Sequence, residues 1–280
     1  MADWMRDTDW AGAIERRRST RSFMMRPVEP EKLRLMRAFL DGMQLPVPEK
    51  VEVRLFNANP DRKLYMVFNA PPDNMAFIAK TDVLSISAAG FAGELAILYA
   101  ESLGLATCWY GHYELSELER AMPHLHGAAP NVKWGYGRGV AQGERAICVT
   151  PLGYWQREGV RFVDRVQETL VSHKRKPLEA LLEGGAMPEG LKPEVRYALD
   201  LARLAPSAAN SQHWRFRVSP DGKTVSIAMS VGYRHIKWEH PDVDTGICAS
   251  HFWLGLRLKN VECGVTLSEE EGRAVWRFEV

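Results

Sequence analysis

The sequence predicts an α+β protein built from two similar halves, and three observations carry that prediction. A helix, turn and strand pattern recurs at an offset of about 160 residues, the kind of self-similarity that marks a duplicated unit. Two long segments are apolar nearly all round and rich in Gly, Ala and Ser. A helix without a polar face must be buried, and small residues let two such helices approach closely. Strand and helix candidates also mix without the strict alternation of a doubly wound sheet. A plainer reading stays open at this point, because any α+β protein contains several helix-strand pairs.

Taken in order, "DWAGAIERR" is a short helical segment. In "EPEKLRLMRAFLDGMQLP", Met36, Phe39, Leu40 and Met43 recur at i, i+3, i+4 and i+7, and Pro30 stands where a first helical turn tolerates it. "VEVRLF" then alternates like a strand, and "KLYMVFNA", "MAFIAK", "NVKWGYG" and "RAICVTPLGY" are further strand candidates. Between them lies the first apolar helix, "ISAAGFAGELAILYAESLGLATCWYG", with Gly104 as its cap. The polar stretch "WQREGVRFVDRVQETLVSHKRKP" crosses from a first half, residues 1–160, to a second, residues 161–280. There "LKPEVRYALDLARLAP" repeats the helical spacing with Ala198, Leu201, Ala202 and Ala205 after Pro193, and "HWRFRV" and "TVSIAM" read as strands. The second apolar helix, "DTGICASHFWLGLRLKNVECGV", is expected to end near Gly264, before a last strand "AVWRFEV".

Composition excludes several function classes. Lys and Arg number 36 against 35 Asp and Glu, a net charge of +1, which leaves no global field for nucleic acid or an acidic membrane. The first ten residues carry acids and tryptophans, unlike a secretory or transit peptide, and no apolar stretch is expected to span a membrane. Cys108, Cys148, Cys248 and Cys263 are widely spaced, without a C-x-x-C pair, so neither a disulfide framework nor a structural zinc site is expected. His124 and His126 form a lone pair in a turn-like stretch, and no metal is expected. The reducing cytoplasm is the default compartment.

Against that neutral background, "RRRSTRSF" sets four arginines and three hydroxyls into eight residues, Arg16 to Phe23. Guanidinium groups are rigid forks of donors suited to phosphate, and Ser19 and Thr20 add hydroxyls. The alternative is a helix C-terminus whose cations complement its dipole and need no ligand. A nucleic-acid patch, which would need aromatic and basic residues interleaved, fits least. "APSAANSQHWRF" sets Pro206, Ser207, Asn210 and Gln212 in a helix-to-strand turn. Such a turn either presents donors to a planar heterocycle or uses them on its own backbone. "LGLATCWYG" ends a buried helix on a Gly-flanked loop whose amides could face a ligand.

These stretches together resemble the nitroreductase-like FMN flavoproteins. That family's "R-R-S-x-R-x-F" is similar to Arg17, Arg18, Ser19, Arg21 and Phe23. Its "A-P-S-x-x-N-x-Q-x-W" is matched by Ala205, Pro206, Ser207, Asn210, Gln212 and Trp214, with His213 where proline is usual. Its "L-G-L-x-x-x-W" helix end matches Leu103 to Trp109, and its closing "L-G-Y" strand matches Leu152 to Tyr154. In the usual member both motifs lie close together in one subunit, and FMN lies across a homodimer interface. Here the first half carries the arginines and has "MQLPVPEK" where A-P-S-x-x-N is due. The second half carries A-P-S-x-x-N and has "SHKRKPLEAL" where the arginines are due. The resemblance therefore implies the nitroreductase-like fold in its single-chain form, an intramolecular pseudo-dimer that binds one FMN, with no need for a second subunit.

It further implies residue roles. Arg17, Arg21 and Ser19 would take the FMN phosphate, and Arg18 the ribityl hydroxyls or the pyrimidine edge, where it would also stabilise the anionic reduced flavin. Pro206, Ser207, Asn210 and Gln212 would close the far side, and the loop of Tyr110, Gly111 and His112 would approach the isoalloxazine with a backbone amide on N5. Arg157 or Arg161 could add to the phosphate site, and Trp109 and Trp214 could line an acceptor pocket if they are not core. Lys174 and Arg175, in the degenerate half, are expected to matter little. The implied activity is reduction of nitroaromatics or quinones with NAD(P)H as co-substrate. The flavin carries that chemistry, and no protein acid or base is obligatory. Flavin storage or redox sensing is the other implied reading.

Overall fold

The computed structural model describes residues 3–65, 69–123, 125, 144–156, 174–233 and 240–280. The first half runs α1 (Trp10–Arg16), α2 (Pro30–Gly42), β1 (Glu52–Asn57), β2 (Asp73–Lys80), α3 (Val83–Ser102), β3 (Ala106–Thr107), α4 (Leu115–Ala121) and β4 (Glu144–Gly153). The second runs α5 (Pro193–Ala202), β5 (Trp214–Val218), β6 (Thr224–Met229), α6 (Asp242–Leu258), β7 (Gly264–Glu270) and β8 (Arg273–Glu279). Both form a four-stranded antiparallel sheet with the same permuted order, β1-β2-β4-β3 and β5-β6-β8-β7. Each sheet has its long helix, α3 or α6, between its second and third strands in sequence. The expected duplication is therefore real, and the reading of unrelated helix-strand pairs falls.

The two central helices hold the halves together, in the most extensive contact between any two described helices. Close approach explains their small residues. A Cβ on Gly246 would lie 1.8 Å from the Ser87 carbonyl oxygen, and one on Gly90 would lie 2.1 Å from that of Val243. Trp276 of β8 crosses the same junction, stacking on Phe91 and donating its Nε1–H to Ser87 Oγ at 2.9 Å. One core cluster accordingly includes Phe77, Phe91 and Leu95 of the first half with Phe252, Trp276 and Phe278 of the second. By length and composition α3 is apolar enough to cross a membrane, contrary to the sequence expectation, but 83% of that stretch is buried inside the protein. Its apolar character belongs to the core.

Local chemistry sets the helix limits. Pro30 and Pro193 open α2 and α5, and the Asp9 and Asp82 side chains cap α1 and α3 by accepting from Gly12 N and Ser85 N. Gly104, at φ +73°, ends α3 as expected, with its N–H on the Glu101 carbonyl at 2.9 Å. The second helix corrects the sequence reading: α6 stops at Leu258 and Gly264 opens strand β7, which pairs along its length with β8. Helix α4 was also not anticipated. Tyr65 of "KLYMVFNA" bridges Tyr113, and residues 66–68 of that candidate lie outside the described residues. "NVKWGYG", His126, His124, Arg157, Arg161 and the boundary at residues 160 and 161 lie outside the described residues.

Candidate functional site

The arginine cluster follows α1 and is pinned along the first sheet. Ser19 bridges Thr107 of β3, Thr20 N donates to the Thr107 carbonyl at 2.9 Å, and Met24 N donates to the Tyr154 carbonyl at 2.9 Å. The facing wall comes from the second half. After α5 the chain turns through a short 3-10 segment, Ala208–Asn210; Ala209 and Asn210 within it, and Gln212 just after it, have φ near +50°. Non-glycine residues seldom adopt that left-handed conformation, and such strain gathers at functional sites. The turn persists because it is bonded from several sides. Gln212 N donates to Ser207 Oγ at 3.0 Å, Asn210 Nδ2 to the Lys174 carbonyl at 3.0 Å, and Ala208 N to the Asp244 carboxylate at 3.0 Å.

Between these walls lie two adjoining chambers of about 310 and 280 Å³, together within the usual size of a small-molecule site. Arg17, Arg18 and Arg175 line the first with Asn210. Tyr110, Gly111, His112, Trp109, Cys108 and Asp244 line the second. Ser19, Arg21, Pro206 and Ser207 line both and so mark the passage between them.

Charge defines the first chamber. Four arginines line it against one carboxylate, Glu15, while Glu94 stands behind Arg17. An arginine-rich lining of this kind suits the double negative charge of a phosphate monoester at neutral pH. Burial, with the neighbouring charges of Arg17 and Arg18, pushes Arg175 down to about 10 against the pull of Glu94. Arg17 is buried and its Nε has no hydrogen-bond partner among the described residues; the nearest carboxylate oxygen, on Glu94, is 3.7 Å away. A donor set of this kind fits an FMN phosphate.

Beneath both chambers a buried polar network joins the halves. Glu94, in the middle of α3, accepts from Trp109 Nε1 at 2.7 Å and lies 2.9 Å from Nε2 of His251 on α6. One carboxylate thus touches an arginine of the first chamber, an aromatic wall of the second and the opposite central helix. Burial also pushes Asp244 up to about 8, despite the Ala208 N–H that favours its ionised form. Among the described residues no group of three or more His, Cys, Asp or Glu is placed to hold a metal ion.

A family model described as "Putative TM nitroreductase" matches residues 9–126 and 128–256, nearly the whole chain. The chain belongs to that nitroreductase family. The fold of this chain is similar to that of a crystal structure from Thermotoga maritima described as a putative nitroreductase. Their identity is 22%, the TM-score is 0.60, and 96% of this chain and 93% of that one are covered. A nitroreductase from Bacteroides fragilis solved with bound FMN is 15% identical, covering 55% of this chain and 91% of its own, with a TM-score of 0.37. An FMN-dependent nitroreductase from Clostridium difficile is 17% identical, covering 55% and 93%, with a TM-score of 0.37. No curated protein matches.

Within this chain, ten of the eleven predicted site residues line the chambers: Arg17, Arg18, Ser19, Arg21, Tyr110, Gly111, His112, Pro206, Ser207 and Asn210. Gln212 does not. It is buried behind the turn, where its side chain takes the Lys176 N–H at 2.8 Å and donates to the Lys174 and Asn210 carbonyls at 3.1 Å. Arg18 combines both readings of the cluster, since its Nη1 donates to the Glu15 and Arg17 carbonyls at the end of α1 while the side chain lines the chamber. Trp109 is a wall and Trp214 is core. Arg175, expected to matter little, lines the first chamber, donates to the Leu204 carbonyl at 3.1 Å and bonds the Asn210 side chain.

Proposed function

We propose that this chain is an FMN-dependent NAD(P)H oxidoreductase of the nitroreductase type, which reduces electron-poor acceptors such as quinones or nitroaromatics. The observation that carries the reading is the junction of Arg17, Arg18, Ser19 and Arg21 from one half with Pro206, Ser207 and Asn210 from the other around one pair of chambers. Arg17, Arg21, Arg175 and Ser19 would hold the phosphate, with the guanidinium groups making charge-assisted bonds about twice as strong as neutral ones. Ser207, Asn210 and the free edge of Arg18 would take the ribityl and pyrimidine groups. Tyr110, Gly111 and His112 would approach the isoalloxazine at the second chamber, and Trp109 would line the pocket in which the acceptor meets it. When bound, the flavin supplies the chemistry, a two-electron relay from NAD(P)H to the acceptor, and the protein supplies binding, orientation and exclusion of water.

Both walls come from one polypeptide, so the proposal is a monomer with one FMN and halves divided near residues 160 and 161, taking small molecules and no nucleic acid as partners. The four cysteines are free, which fits a reducing compartment, and we place the enzyme in the cytoplasm. The test is the visible spectrum of purified protein after incubation with FMN, with the released cofactor quantified. A flavin band at one FMN per chain is expected, and a protein that stays colourless defeats the proposal. Steady-state oxidation of NADH or NADPH with menadione or nitrofurazone then separates turnover from flavin storage, which gives no acceptor-dependent rate.

A further inference from the structure

Asp244 has no part in the assignments above, yet its position is that of a working group. It sits in the first turn of α6, only 4% exposed, and lines the second chamber with Tyr110, Gly111 and His112. Among the described residues its two oxygens share one donor, the Ala208 N–H, at 3.0 and 3.2 Å. One N–H does not satisfy both oxygens well, which leaves room for a proton on the carboxyl.

We propose that Asp244 is the proton donor of the second chamber and delivers its proton to the oxygen of a quinone-type acceptor as that acceptor is reduced. The inference rests on the flavin reading. A quinone takes two electrons and two protons to become a hydroquinone. One proton arrives with the electron pair, as the hydride equivalent drawn from NAD(P)H. The other leaves Asp244: its O–H bond breaks, an O–H bond forms on the acceptor oxygen, and the remaining carboxylate is stabilised by the Ala208 N–H until water reprotonates it.

The surroundings keep the acid protonated at neutral pH. Facing it are Asp242 and Cys248 of its own helix, Cys148 of β4, Tyr233 beyond the turn, and the chamber residues Arg21, Cys108, Tyr110 and His112. Burial dominates, with Asp242 adding repulsion, and together they raise the carboxyl to about 8.

The test uses the full chain and its Asp244→Asn and Asp244→Glu variants. In flavin-free protein, infrared spectroscopy should show the carbonyl stretch of a protonated carboxylic acid at pH 7. The band should vanish on titration to alkaline pH and be missing from D244N. With FMN bound, the rate with menadione, which needs a proton, is compared with that with ferricyanide, which needs none. The proposal predicts that D244N lowers the menadione-to-ferricyanide ratio about 100-fold and that D244E recovers part of it. An unchanged ratio makes Asp244 a mere brace for the turn and overturns the proposal, as does a carboxylate already ionised at pH 7. Wild-type protein that takes up no FMN removes the flavin reading first, and the donor role falls with it.

Discussion

The two sheets share a strand order, but their corresponding edges serve different ends. In the second half, β7 pairs with β8 over its whole length, closed by Glu271 and Gly272 in the left-handed conformation that a tight hairpin turn requires. In the first half the equivalent strand, β3, pairs with β4 over only Ala106 and Thr107. The chain that follows, Cys108 to His112, is thereby released to wall the second chamber, and Ser19 takes the vacated side of Thr107. One copy of a duplicated unit closed its edge, and the other opened it to build a site. The same division holds for the motifs. Because each half meets the other within one chain, a single arginine cluster and a single A-P-S-x-x-N turn suffice.

The comparison breaks most severely if the first half's cations are dispensable. Arg17→Ala with Arg21→Ala should weaken FMN binding at least about 100-fold, since each charge-assisted bond contributes about 1.5–3 kcal/mol. Flavin fluorescence titration checks it. Next, Glu94→Ala removes the carboxylate shared by Arg17, Trp109 and His251 and should cost about 3–5 kcal/mol, because it strands buried polar partners. Chemical denaturation measures that loss. Gly246→Ala, at the crossing of α3 and α6, should cost about 1–3 kcal/mol by forcing the central helices apart. Its melting temperature should fall accordingly.

Arg175 sharpens the comparison, for it is the cation that the second half retained. Arg175→Ala should weaken FMN binding about tenfold and riboflavin binding less. Equal losses for the two flavins would make it only a brace for Asn210. Asp244 gives an effect confined to a pH window. Its carboxyl is raised in the folded state, so its stabilisation is fully present below about 4, the unfolded value, and is lost as the pH rises through about 8. D244N should therefore flatten the decline in melting temperature over that window.

Much of this was legible in the sequence because it rests on periodicity and on contiguous motifs. Met36 and Phe39, like Ala198 and Leu201, declared their buried faces by spacing, and both walls of the chamber were visible as runs of residues. The unread parts depend on tertiary neighbours. Glu94, Asp244 and His251 lie inside segments whose composition announces only burial, although a charged or imidazole side chain between small residues was the available signal. Arg175 read as part of a solvated basic run because only the folded turn brings Asn210 to it. Gln212 matched its motif and yet serves the backbone behind the site. Strand β7 was hidden by three consecutive glutamates and by Gly264, which resembles a helix cap.

The central claim is one composite site per chain, and equilibrium titration of flavin-free protein with FMN tests it most directly. The account predicts saturation at one FMN per polypeptide, with affinity lost both on changing Arg17 and Arg21 and on changing Ser207 and Asn210. Saturation at two, or binding that survives loss of either wall, would contradict it.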